Sequence, residues 1–143
     1  RAYFDRYLKK KGRNVLDDGT VMVSVRVTNQ KEINTAHGRD VGDAVILLIA
    51  EQLRQAFARM TATFVYNGNA HFVVVLEKTD AITAQDALQM LRLDLDNRES
   101  CENVRIAYET GVAETFRDRV TSARQLLAEA IKNSKDYTAE PKN

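Results

Sequence analysis

The sequence predicts an α+β sandwich, a mostly antiparallel central sheet flanked by helices, and two patterns carry most of that prediction. Val21, Val23, Val25 and Val27 alternate with Met22, Ser24 and Arg26, the two-residue period of a β-strand. Val41, Val45, Ile49, Leu53 and Phe57 recur every four residues, the period of a helix buried along one face. A third observation places a hairpin between them and the C-terminal half: Asn67-Gly68-Asn69 lies between two β-rich runs.

Taken in order, Ala2 to Lys11 spaces Tyr3, Phe4, Tyr7 and Leu8 on one helical face and ends in three lysines before Gly12. Cations in a last turn complement the carbonyl end of the helix, a simpler reading than contact with nucleic acid. An Asp-Asp-Gly turn leads into the valine strand, on which Arg26 and Thr28 share a face. Asn29 to His37 makes a short helical turn before Gly38, and the long apolar helix runs from about Asp40 to Arg59. Thr63–Tyr66 and Ala70–Leu76 form the hairpin, and the unbroken apolar run from Phe72 to Leu76 marks its second strand as central. Thr83 to Asp86 offers a capping box for a helix carrying Ala84, Ala87, Leu88, Leu91 and Leu95. Val104, Ile106 and Tyr108 alternate within a strand from about Asn103 to Ala113. Ser122 and Gln125 form a second capping box ahead of Leu127, Ala130 and Ile131, and the tail from Tyr137, with Pro141, is expected to fray. The order of elements fits the ferredoxin-like, palm-type arrangement found in nucleotide-cyclising and polymerase domains.

Composition narrows the function classes. The 143 residues, 44% hydrophobic and 29% charged, suit one soluble domain without internal repeats. Twenty-one Lys and Arg against 20 Asp and Glu leave a charge of +1, too balanced for nucleic-acid binding by the domain as a whole. Cys101 is alone, so no internal disulfide forms, and a reducing cytoplasm is the expected compartment. His37 and His71 do not join Cys101 at metal spacing, and no hydrolase elbow is present. No apolar run is long enough to cross a bilayer. The start at Arg1 suggests a domain excised from a larger signalling protein, which can itself be membrane-anchored.

Four stretches carry a family resemblance. Ile33-Asn34-Thr35-Ala36-His37-Gly38-Arg39-Asp40-Val41-Gly42-Asp43-Ala44 resembles the IND-x-x-GH-x-x-GD run of GGDEF domains, bacterial diguanylate cyclases that condense two GTP into cyclic di-GMP. Gly68-Asn69-Ala70-His71-Phe72 falls where that family has Gly-Gly-Asp-Glu-Phe. Gly111-Val112-Ala113 resembles the end of its S-I-G-V-A strand, and Arg1-Ala2-Tyr3-Phe4 its N-R-R-x-F opening. The four matches occur in the family's order and span nearly the whole chain.

The resemblance implies roles position by position. Where relatives hold two Mg²⁺ ions on strand and signature carboxylates, this chain has Arg26, Thr28, Ala70 and His71. Mg²⁺ wants hard oxygen ligands, and the attack of a ribose hydroxyl on an α-phosphate needs such an ion. The expectation is therefore a degenerate GGDEF-like domain without catalytic residues, without Mg²⁺ or another cofactor. The alternative is a divergent cyclase or weak NTPase with residual activity. The guanine-reading pair survives as Asn34 and Asp43, and Lys31, Lys135 (placed in the last helix) and Arg26 are candidate phosphate contacts. The family's inhibitory R-x-x-D site reads Arg59-Met60-Thr61-Ala62, leaving Arg59 as its remnant. The partners implied are GTP or cyclic di-GMP, neighbouring domains of the same chain or another protein, and a second copy in a homodimer, with neither nucleic acid nor membrane touched by this domain.

Overall fold

The computed structural model describes residues 19–98, 104–118 and 122–141. The expected first helix, Ala2 to Lys11, and Cys101 lie outside them. The five strands are β1 (Val21–Val27), β2 (Thr61–Tyr66), β3 (His71–Glu77), β4 (Ile106–Glu114) and β5 (Lys135–Ala139). They form one sheet in the order β2-β3-β1-β4-β5, every neighbouring pair antiparallel. The helices are α1 (Gln30–His37), α2 (Arg39–Ala56), α3 (Ala81–Asp96), α4 (Thr115–Asp118) and α5 (Ala123–Lys132).

The alternation in β1 sorts the molecule into two layers. Val21, Val23, Val25 and Val27 face one core with Ile33 of α1, Val45, Ile49 and Leu53 of α2, and Leu88, Leu91 and Leu95 of α3. Met22 faces the other with Val65, Val73, Val75 and Ala113, beneath Ala123, Leu126, Leu127 and Ala130 of α5. Both faces of the central strands are covered, hence the unbroken apolar run in β3.

Several boundaries differ from the sequence reading. Helix α2 stops at Ala56, because Phe57 leaves helical geometry (φ −107°) and is buried at 1% exposure. β2 begins two residues early, as Thr61 and Ala62 pair with Glu77 and Leu76. The cap of α3 is Asp80, whose carboxylate accepts from the Thr83 N–H at 2.8 Å, so Thr83 sits inside the first turn and is not the cap. Ser122 does precede α5, but its side chain makes no cap hydrogen bond. The tail is ordered into β5: Tyr137 stacks on Tyr108 at 5.8 Å, Arg92 lies 4.5 Å over the Tyr137 ring, and Ala139 is fully buried. Lys135 consequently opens a strand and does not belong to the last helix.

Helix α5 approaches the sheet at Gly111. A Cβ there would lie 1.9 Å from the Ala130 carbonyl oxygen and 2.7 Å from Ser134 Oγ, and the first of these is backbone that cannot swing aside. Just ahead of β5, the Asn133 carboxamide donates to the Val112 carbonyl at 3.0 Å, taking the place of a strand residue. Gly111→Ala must push α5 off the sheet and is expected to lower unfolding stability by about 3 kcal/mol, read by urea denaturation. Gly38→Ala, where an added methyl group meets nothing within 4 Å, should cost the backbone strain alone of φ 92° and ψ 161°, a region essentially confined to glycine, about 2 kcal/mol.

Candidate functional site

The antiparallel register aligns one polar rung across four strands. His71 of β3 pairs with Arg26 of β1, Arg26 with Glu109 of β4, and Glu109 with Asp136 of β5. These residues share the parity of Met22, Val73 and Ala113, so the rung lies on the α5 face, at the end of the sheet where the β2–β3 hairpin turns. Arg26 donates Nη2 and Nε to one oxygen of Glu109, at 2.9 and 3.1 Å. With the Arg26 side chain 50% exposed and that of Glu109 18% exposed, the pair contributes about 0.5 kcal/mol to stability at most after solvent screening. Its larger effect is on charge: a fixed guanidinium occupies the centre of the rung.

His71 is held on both nitrogens. Asn67 Nδ2 donates to Nδ1 at 3.2 Å, so the neutral ring carries its proton on Nε2 and donates it to Ser24 Oγ at 2.8 Å. Burial, and then the neighbouring Arg26 cation, lower its pKa from 6.5 to about 4. The ring is a neutral, doubly committed group and not a free ligand.

The hairpin places the remaining signature residues by backbone geometry. Gly68, Asn69 and Ala70 take φ of 82°, 53° and 60°, three left-handed residues in succession. The turn is closed by Asn67 N–H to the His71 carbonyl at 2.8 Å and His71 N–H to the Gly68 carbonyl at 3.0 Å. Ala70 donates its N–H to Tyr66 Oη at 3.1 Å and accepts from Val27 N–H at 3.0 Å. It is 2% exposed within the larger core, and Phe72 is buried beside it. The strand starts at His71, one residue later than expected.

A second locus forms at the elbow between α1 and α2. Asn34 of α1 rests its Oδ1 on Gly42, so close that a Cβ at Gly42 would sit 1.6 Å from it, and Asp43 follows as an exposed residue of α2. Gln30 donates Nε2 to the Gly42 carbonyl at 2.9 Å. Asn34 Oδ1 and Gln30 Oε1 are both buried without a hydrogen-bond partner. The Asn34 oxygen itself fills the space over Gly42, and both acceptors lack a donor among the described residues.

The structure thus divides the residues singled out from sequence. Asn34 and Asp43 come together at the elbow. Arg26 and His71 meet on the opposite face of the sheet. Thr28 is exposed and tied through its N–H to the Ala107 carbonyl at 2.8 Å, while Asn29 bridges to Arg105 and Ala107. Lys31 is exposed in the first turn of α1, and Arg59 is exposed in the turn after α2. Lys135 lines a cavity of about 730 Å³ with Gln85, Lys132 and Asn133, two strands from Arg26 and on the other face. Glu109 and Ser24 are not singled out by the sequence, and Asn67 is read there only as part of the hairpin turn. Glu109 stands two residues before Gly111, where the family strand S-I-G-V-A has its serine, but nothing in a linear pattern says that this position faces Arg26.

The groups of the rung do not fit Mg²⁺. The Arg26 cation and the neutral His71 imidazole offer no hard oxygen, nor does the buried methyl of Ala70 beside them; of the rung's two acids, Glu109 is engaged by Arg26 and Asp136 lies on β5, two strands from β1. Among the described residues no group of three His, Cys, Asp or Glu side chains is placed to hold a metal ion.

Comparison with known proteins agrees with this architecture. Residues 1–143 match the family described as diguanylate cyclase, GGDEF domain. The chain belongs to the GGDEF family. Among solved structures, an EAL/GGDEF domain protein from M. capsulatus superposes with a TM-score of 0.73 at 24% identity, covering 92% of this chain and 86% of that one. The active GGEEF domain of a diguanylate cyclase from Vibrio cholerae gives 0.72 at 22% identity, covering 92% and 80%. The FimX GGDEF domain from Pseudomonas aeruginosa gives 0.73 at 17%, covering 93% and 84%. No curated protein sequence matches the chain.

The lowered His71 pKa has a pH signature. An unfolded chain binds a proton at this ring below about pH 6.5 and the folded chain only below about pH 4, so the contribution to stability is full above 6.5 and is lost as the pH falls towards 4. Urea midpoints measured across that window should fall on acidification, and His71→Gln should flatten that part of the slope.

Proposed function

We propose that this GGDEF domain does not cyclise GTP and acts as a regulatory module that binds guanine nucleotide without metal. The observation carrying the reading is the Arg26–Glu109 ion pair of 2.9 Å, which puts a cation where the resemblance implies a metal-binding acid. The charge developing on a phosphate under attack would find no paired ions there to stabilise it. His71, neutral and bonded to Ser24 and Asn67, does not replace a carboxylate.

Support for retained base binding comes from the elbow. The unsatisfied Oδ1 of Asn34 and the exposed carboxylate of Asp43 are acceptors of the kind that an N–H-rich guanine edge satisfies. Lys31, at the start of α1, is the nearest phosphate contact in sequence, while Arg26 and Lys135 reach the ligand only if its phosphates extend past the end of the sheet. A relative, the DgcB GGDEF domain from Caulobacter crescentus, was solved in complex with c-di-GMP. In this chain Arg59 is left to contact such a ligand without the acid, since Ala62 stands in its place.

Calorimetry with GTP and with cyclic di-GMP, each with and without Mg²⁺, tests the proposal alongside an assay for cyclic product. The expected result is GTP binding indifferent to Mg²⁺ and no product, with Asn34→Ala weakening GTP by about 10-fold or more through loss of the base contact. Mg²⁺-dependent formation of cyclic di-GMP would establish the divergent cyclase instead. Absence of GTP binding would remove the nucleotide from the proposal.

A further inference from the structure

The two edges of the sheet are unequally guarded. β5 carries Lys135 and Asp136 and is followed by Glu140 and Pro141, charges and a proline of the kind that discourage another strand from pairing. β2, the opposite edge, has no such device. No charged residue or proline occurs from Met60 to Ala70, and the position of the family's inhibitory-site acid is Ala62.

Its backbone is open in a definite register. Asn67 N–H bonds the His71 carbonyl, so by alternation Val65, Thr63 and Thr61 direct their backbone groups to β3, while those of Ala62 and Phe64 point away from the sheet. These outward groups have no hydrogen-bond partner among the described residues. Beside them, Leu47, Ala50 and Arg54 of α2 and Phe64 and Phe72 line a groove of about 230 Å³. Leu47 is 69% exposed and Phe64 37%.

We propose that β2 is the docking edge for a second copy of this chain, joining two five-stranded sheets across a two-fold axis at Thr63. An antiparallel strand is its own complement under two-fold rotation, so Ala62 of each copy lies opposite Phe64 of the other and the outward groups are satisfied reciprocally. The flanking helix is also self-complementary in charge. Leu47, Glu51 and Arg54 form the outward stripe of α2 at positions i, i+4 and i+7, all exposed. Rotation about the axis runs the two stripes antiparallel, which sets the carboxylate of one against the guanidinium of the other and leaves Leu47 to cover the joined groove. A partner of one charge sign would match only half of this stripe. The Arg26 rung and the α1–α2 elbow are not part of this edge, so association does not depend on nucleotide.

Sedimentation equilibrium over a concentration series, with amide hydrogen exchange at Ala62 and Phe64, tests the interface on the intact chain. The expected result is a dimer in which both amides become protected as concentration rises. Ala62→Asp and Phe64→Lys should each weaken self-association by about 100-fold, with melting curves showing that the fold persists. The equimolar mixture of the two variants should recover association, because the new charges then face one another. A chain that stays monomeric with both amides unprotected would overturn the proposal, as would a dimer unaffected by either variant.

Discussion

β1 is hydrogen-bonded on both sides, to β3 and to β4, and its register decides which side chains of the whole sheet share a rung. A slip by one residue would exchange the valines of one core for Met22, Ser24 and Arg26, and so would expose one layer while burying a cation. The two cores, one beneath three helices and the other beneath α5, hold the register against that slip. The polar rung is a by-product of the same constraint. Once Val21 to Val27 face the larger core, Arg26 must emerge on the α5 side, flanked by whatever the neighbouring strands supply.

What they supply is a reversal of sign. The resemblance implies an acid at the β1 position and a serine at the β4 position; the chain has Arg26 and Glu109, joined by a direct ion pair. Either change alone would leave a charge at a partly covered site with no counter-charge, whereas together they neutralise each other. The pair adds little to folding stability, so its consequence lies in occupancy: the guanidinium and the Glu109 carboxylate oxygen are each already engaged by the other.

Periodicity reveals most of the scaffold, because each long element carries its own repeat: valines at two, Val41 to Phe57 at four, Asn-Gly between strands. It fails where stability comes from elsewhere in the fold. β5 is five residues with two charges and no clear alternation, and it exists because Tyr137 stacks on Tyr108 and Ala139 enters the core. Sequence alone places the cap of α3 three residues late because Asp80 and Thr83 are both good capping types, and only the geometry shows which one accepts. The family motifs locate Asn34, Asp43, Arg26 and His71, but not their division between two faces of the sheet. Nor do they reveal Glu109, whose importance comes from lying opposite Arg26 at a sequence separation of 83.

The hairpin constrains what its third signature position can hold. Ala70 stands where the signature of relatives has an acid, yet here its side chain is interior, held by a left-handed turn that is tied to Tyr66 and Val27. A carboxylate introduced at that point would enter an apolar surrounding at a penalty of several kcal/mol, a large part of the stability of a domain this size. Residue 70 and the shape of the hairpin are thus set together: while the turn keeps its ties to Tyr66 and Val27, only a small side chain fits beneath it.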